Sequence, residues 1–161
     1  MKTALTHLDQ NAQPRMVDVS AKPVTVRTAT AAATVRFPSD AWQALSEGGF
    51  ATKKGPISDV ARIAGTMAVK RTAEWIPFCH TLPVEGCTFS IEPQNDQQAL
   101  RIECAVTTTA RTGIEMEALV GVSAAALTIY DMTKSLGQCI IISDTKLISK
   151  TGGKADFQAE T

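Results

Sequence analysis

The chain has 161 residues, 44% hydrophobic and 20% charged, enough for one domain with a core of its own. Lys plus Arg and Asp plus Glu each number 16, so the balanced charge gives no electrostatic footprint for nucleic acid or an anionic membrane. No apolar run approaches the roughly 20 residues that span a bilayer and the first residues carry no hydrophobic signal core, so a soluble, cytoplasmic protein is expected.

Residues 1–15 are polar, show no apolar periodicity, and are expected to form a mobile arm. Residues 16–22, MVDVSAK, suggest a short extended segment ended by Pro23, with Asp18 and Lys22 as a solvated charge pair. VTVRTATAAATVRF, residues 24–37, alternates partially and predicts a strand closed by Pro38. Ser39 is expected to cap a short helix over 40–47, with Trp42 and Leu45 inward and Gly48 and Gly49 as its stop. A glycine and proline loop, ATKKGPIS, then carries Lys53 and Lys54.

Ser58 or Asp59 can start a second helix, with Val60, Ile63, Ala64, Met67 and Ala68 as its apolar stripe and Arg62, Lys70 and Arg71 on its polar face; Pro77 breaks it. The proline-framed loop PFCHTLP, residues 77–83, holds Cys79 and His80. Two alternating segments follow, one turning Cys87, Phe89 and Ile91 to a single face and the other Leu100, Ile102, Cys104 and Val106, with PQNDQQ as the hairpin turn. The longest element is predicted over residues 111–137. Thr112 and Glu115 fit a capping box there, the apolar middle predicts cover on nearly every side, and Gly137 is a stop. QCIIISDTKLIS is a last strand, KTGGKADF a lysine and glycine tail, and 158–161 lies beyond the domain.

This order predicts an α+β, ferredoxin-like domain over residues 16–157, with an antiparallel four-stranded sheet and helices packed on one face. The bare sheet face of such a layout invites oligomerisation. Cys79, Cys87, Cys104 and Cys139 form no CxxC pair, which argues against a zinc site or disulfide framework.

The candidates for chemistry are Lys53, Lys54, Cys79, His80, Glu115, Glu117, Asp131, Lys134, Lys150 and Lys154. Carboxylates, lysines and one histidine suit proton transfer on an anionic substrate better than metal chemistry. Plainer readings exist: a hydrogen-bonded structural His80, a buried apolar Cys79, solvated loop lysines. KTGGKAD lacks the spacing and the Ser or Thr of a phosphate-binding Walker loop. Asp131 and Lys134 weigh most. An exposed pair three residues apart contributes only about 0.2 to 0.5 kcal/mol, whereas desolvation against an apolar wall gives such groups protonation states useful for acid and base work.

The segments MVDVSAK, VARIAG, AVKRT, IPFCHTLP, TGIEMEAL, AALTIYDMTK and TGGKADF resemble those of the MoaC family, the cyclic pyranopterin monophosphate synthases, from about residue 16 to 157. The resemblance implies a lyase that converts 3′,8-cyclo-7,8-dihydroguanosine 5′-triphosphate into cyclic pyranopterin monophosphate and pyrophosphate, downstream of a radical enzyme. It also implies a homohexamer, a trimer of dimers with the site between subunits. By motif, Asp131 matches the catalytic aspartate, Lys134 its neighbouring lysine and Lys54 the loop lysine. Lys54 and Lys134 are expected to shuttle protons, with Asp131 orienting or deprotonating one of them. Phe78, Cys79 and His80 match the substrate-binding loop, Met116 and Glu117 a binding pair with Glu115 beside it, and Lys150 a tail lysine near phosphate.

Arg62 is expected to face the same pocket. No cofactor is implied, and a divalent cation accompanying the triphosphate stays open, since no carboxylate cluster has ligand spacing. Thr81 stands where the family's PLCHPL-like loop has its second proline, and the tail departs from SGGKSGDF around Lys154, which has no assignment. The competing reading is a non-catalytic purine-nucleotide-binding regulator on the same fold. An RNA-binding module is disfavoured because the strands lack an aromatic ladder for base stacking. A structural subunit cemented by the long helix leaves the charges at both helix ends without a purpose.

Overall fold

A computed structural model describes residues 13–160; the expected arm over 1–15 lies mostly outside these. Strand β1, Thr25–Arg36, occupies the middle of the sheet. Ala29, Ala31, Ala33 and Val35 alternate along it and are wholly or nearly wholly buried. Small side chains at three of these positions let the long helix α4, Glu115–Thr133, lie close against the strand. On one side β1 pairs with β5, Ala99–Ala110, which pairs in turn with β4, Gly86–Gln94. On the other it pairs with β6, Ile141–Thr151.

The sheet has five strands rather than the expected four. Its order is β4-β5-β1-β6-β7 with every pairing antiparallel, because the tail folds back as an edge strand, β7, Phe157–Gln158. Ala159 N–H also donates to the Ile148 carbonyl at 2.8 Å, so sheet pairing continues past residue 157. The turn between β6 and β7 depends on Gly152 at φ 79, whose missing Cβ lets it pack onto the Val26 carbonyl.

Helix α1, Ser39–Glu47, buries Trp42 and Leu45 as expected, with Trp42 between the rings of Phe37 and Phe50 at 5.9 and 5.3 Å. Ser39 does not cap it. Pro38 takes that place, and the Ser39 hydroxyl donates to Gln98 Oε1. The lysine loop is a tight hairpin, β2, Ala51–Thr52, and β3, Gly55–Pro56, with Lys53 and Lys54 at its tip and Gly55 at φ 110.

Helix α2, Ile57–Val69, buries Ile57, Ala61, Gly65, Ala68 and Val69. Ile63 and Met67, expected inward, are 63% and 50% exposed. The helix packs through its small residues, since a Cβ on Gly65 would stand 2.5 Å from the Phe89 ring and one on Gly121 of α4 2.7 Å from Val69. A single turn, α3, Thr72–Trp75, follows.

The long helix is shorter than expected at both ends. It begins at Glu115 with Ile114 before it and no side-chain cap, so the Thr112–Glu115 capping box does not form. Beyond Thr133 the chain tightens to a 3-10 turn, Lys134–Leu136, that ends at Gly137. Its cover is also incomplete, because Leu127 and Met116 are exposed. The α2 and α4 helices lie together on one sheet face. The other face presents Thr28, Thr30, Thr88, Ala105 and Thr107 in register.

Candidate active site

Two clusters of ionisable groups occupy opposite ends of α4. At its C-terminal end Asp131 receives two ammonium groups. Lys134 Nζ, one turn on, donates to Oδ1 at 2.8 Å, and Lys54 Nζ, from the hairpin tip 77 residues away, donates to Oδ2 at 2.6 Å. The helix places Asp131 and Lys134 on one face, and the two-residue turn makes Lys54 reach inward. Both hydrogen bonds, Lys134's first, hold the Asp131 carboxyl down at about 2, and the Asp131 carboxylate raises Lys134 above its usual range.

The expected desolvation is absent from this cluster. The side chains of Asp131, Lys54 and Lys134 are 51%, 57% and 60% exposed. The apolar wall lies beside them, in a cavity of about 410 Å³ between α1, the hairpin and the end of α4, with Leu45, Met132 and Leu136 on its walls.

At the N-terminal end of α4 two cavities, of about 490 and 450 Å³, share Lys22, Thr112, Gly113 and Glu115 and form one groove. The first half is basic, with Lys22, Arg27, Arg111, Lys150 and Lys154 on its walls. Lys150 Nζ donates to Glu115 Oε1 at 2.8 Å, and this pull, rather than capping, directs the Glu115 side chain. Arg27 Nε is buried without a hydrogen-bond partner. Such a donor suits an anion. The Gly152–Gly153 turn is fixed to β1 by Thr25 Oγ1, which donates to the Gly152 carbonyl at 2.8 Å, and is closed on itself by Asp156 Oδ1, which accepts the Gly152 N–H at 3.1 Å.

The second half holds Phe78, Cys79, His80, Met116 and Glu117 under Val17 and Val19. Glu117 is 4% exposed; burial pushes its carboxyl up, and the nearby Glu115 adds to the rise. Burial also raises the Cys79 thiol, with Glu117 contributing. His80 Nε2 lies 2.8 Å from the Val17 carbonyl.

The structure therefore gathers Lys54, Asp131 and Lys134 in one place and Phe78, Cys79, His80, Glu115, Met116, Glu117 and Lys150 in another. Sixteen residues of rigid helix separate Glu115 from Asp131, about 24 Å. Arg62 joins neither group; it sits exposed on α2, paired with Asp59 at 3.3 Å, and lines none of the cavities described. Asp18 and Lys22 do not pair: Asp18 accepts the Ser20 N–H, which lowers its carboxyl, and Lys22 lines the groove.

Sequence reasoning missed Arg27 and Arg111. Arg27 had a readable signal, since it shares the phase of the inward residues Ala29, Ala31 and Ala33, where a charge needs a partner. Among the described residues no group of three or more His, Cys, Asp or Glu is placed to hold a metal ion, and no helix is long and apolar enough to cross a membrane.

The family model of MoaC matches residues 16–153. The cyclic pyranopterin monophosphate synthase of Xanthomonas axonopodis pv. citri is 55% identical over 155 residues, 96% of this chain and 93% of that protein. The synthase of Shouchella clausii is 46% identical, over 94% of this chain and 92% of its own. A molybdenum cofactor biosynthesis bifunctional protein of Synechocystis is 55% identical, and this chain spans 44% of its length. With that family pattern running from residue 16 to residue 153, the chain belongs to the MoaC family.

Proposed function

We propose that the protein is a cyclic pyranopterin monophosphate synthase of molybdenum cofactor biosynthesis. It is a phosphorus–oxygen lyase that converts 3′,8-cyclo-7,8-dihydroguanosine 5′-triphosphate into cyclic pyranopterin monophosphate and pyrophosphate. Relatives bearing that name match along nine-tenths of their length. The observation that carries the reading is the pair of clusters at the two ends of α4, one built for an anion and a ring, the other for moving protons.

A rigid helix keeps the clusters about 24 Å apart, too far for one reacting centre to use both within a chain. The working site therefore forms between two copies whose α4 helices run antiparallel, so that Lys54, Asp131 and Lys134 of one copy meet the groove of the other. Ile63, Met67, Trp75 and Leu127, exposed on α2, α3 and α4, offer apolar surface for that contact. Three such dimers make the homohexamer that the family resemblance implies. The ferredoxin-like description of the fold is supported by the order of its long strands, β4-β5-β1-β6, under two helices. The enzyme acts in the cytoplasm after a radical enzyme has made its substrate, without nucleic acid or membrane as partner.

In the groove, Arg27, Arg111, Lys22 and Lys150 hold the triphosphate. When a sugar hydroxyl attacks the inner phosphorus and pyrophosphate leaves, these cations stabilise the charge gathering on the departing oxygens. Glu117, as a carboxylate, accepts from the N–H and amino donors along the guanine-derived edge, with Phe78, Cys79 and Met116 beside the ring. Asp131, held at about 2, is too weak a base to take protons and orients the two ammonium groups instead. Lys134, raised by Asp131, is a proton donor in the lone chain. Docking against the basic groove, with water excluded, lowers a lysine, and one of Lys54 and Lys134 then serves as base.

No resident cofactor is needed; a divalent cation would enter with the triphosphate. A nucleotide-binding regulator would account for the groove but leaves the lysine–aspartate cluster without a use. Purified protein incubated with the cyclised dihydroguanosine triphosphate should release pyrophosphate and the pterin product together, and release of neither sinks the reading.

A further inference from the structure

Residues 16–22 lie across the groove before β1 begins and have no helix or strand there. The segment is shaped by its own short turns: the Ser20 N–H reaches Asp18 Oδ1 at 2.8 Å and the Lys22 N–H reaches the Val19 carbonyl at 3.0 Å. Two side chains from the groove grip it by its carbonyls. His80 Nε2 lies 2.8 Å from the Val17 oxygen, and Arg111 Nε donates to the Lys22 oxygen at 3.1 Å. A carbonyl only accepts, so Nε2 carries the proton in that contact. Between the two grips Val17 and Val19 roof the half that holds Phe78 and Glu117, while Lys22 lines both halves at their junction.

We infer that residues 16–22 are a strap that closes over bound substrate with His80 and Arg111 as its latches, and that His80 is a positioning residue for Val17 and Lys22. The inference rests on reading the groove as the substrate site. It follows from what each atom is committed to. His80 spends its proton-bearing nitrogen on a backbone oxygen, whereas Arg111 holds the strap through Nε and keeps its terminal N–H groups for an anion in the basic half. An anion there draws Arg111 and Lys22 together from the two sides of the junction. The strap then brings its valines down over the ring half and shuts out water, and it must lift before product leaves.

The test uses the full chain, His80→Ala, and His80→Gln, which keeps an N–H donor. Two readouts are taken: steady-state kinetics with the cyclised triphosphate, and the rate of tryptic cleavage at Arg15, just ahead of the strap, with and without inorganic pyrophosphate. A latch predicts that His80→Ala raises KM about tenfold with kcat within about threefold, the size of one lost hydrogen bond, and that His80→Gln recovers most of it. Cleavage at Arg15 should accelerate in His80→Ala, and pyrophosphate should slow it in the parent protein. A kcat loss of a hundredfold with a missing limb in the pH profile would make His80 a proton carrier and overturn the inference. Unchanged cleavage in both variants would overturn it as well. Should the protein turn over no substrate at all, the cleavage arm still decides the strap by itself, because it needs only pyrophosphate.

Discussion

Two variants that each inactivate the protein should restore activity when mixed, provided they lie at opposite ends of α4. Lys54→Ala removes an ammonium from Asp131, where its contact is 2.6 Å. Lys150→Ala removes one from the basic groove and leaves Glu115, 27% exposed, unpaired beside the phosphates. Alone, each loses the factor of roughly 10²–10⁴ that a positioned acid, base or counter-charge supplies. In a two-fold dimer with composite sites, a mixed dimer puts both lesions in one site and none in the other. Random exchange of equal amounts makes about half the dimers mixed, so about a quarter of all sites are intact and about a quarter of parental specific activity returns. Lys54→Ala mixed with Asp131→Asn is the internal control, since both changes lie in the same cluster and every mixed site is damaged. The assay is pyrophosphate release after subunit exchange, with differently tagged chains to show that exchange took place. Exchanged but inactive Lys54→Ala and Lys150→Ala mixtures would refute the reasoning, because the site would then lie within one chain.

Three further outcomes follow from the geometry. Asp131→Asn should lower kcat with little change in KM or in gel-filtration elution, and titration of Lys134 followed by NMR should move down once its carboxylate partner is gone. Glu117→Gln should raise the melting temperature at pH 7.5 by about 2 °C or more while weakening substrate binding. The sign follows from burial: a carboxyl raised above 4.5 favours its protonated form in the fold, a contribution present below 4.5 and lost as pH rises through the folded value, so the gain should vanish near pH 4. Gly152→Ala should cost about 1 kcal/mol or more and raise KM, since at φ 79 its Cβ would run into the Val26 carbonyl and push the turn that follows Lys150 and carries Lys154 off β1; thermal melts and kinetics read the two effects separately.

Where a pattern was set by one packing surface, the residues told the fold. Leu100, Ile102, Cys104 and Val106 alternate in sequence and are all buried, and Trp42 and Leu45 anchor α1 as read. Where two surfaces competed, they did not. Helix α2 carries a large apolar stripe through Ile63 and Met67 and a small one through Ala61, Gly65 and Ala68, and close approach to Phe89 and α4 selects the small one. The Thr112–Glu115 capping box failed for a different reason. Glu115 has a stronger partner in Lys150, which is 35 residues later in the chain and invisible to a local motif. The fifth strand was hidden because two residues of β7 carry too little alternation to register.

The site was legible in the same uneven way. Lys54 and Asp131 were paired through family motifs, and no periodicity joins residues so far apart, whereas Asp131 and Lys134 follow from helix spacing alone. The burial of Asp131 was misread from its neighbours. An apolar stretch before Asp131 implied a buried carboxylate, yet the helix turns that residue away from the sheet, and the cluster stands in water.

That exposure bears on how the chemistry is switched on. Exposed ion pairs contribute little to stability, and here they hold Asp131 ionised and Lys134 protonated, so that in the lone chain Lys134 is a donor and Asp131 too weak a base to take its proton. The groove has the complementary shortage. It holds five cations, among them Arg27 with its orphaned Nε, and draws Glu115 off to Lys150, so it grips anions, but Asp131 and its two lysines lie at the other end of α4. In the proposed dimer both would change at once: cations of the groove and the loss of water would press a lysine of the cluster downward, while Asp131 keeps it aimed. On that reading assembly is the step that creates the base, and α4, by holding the halves apart in each copy, would keep a single chain from carrying out the reaction.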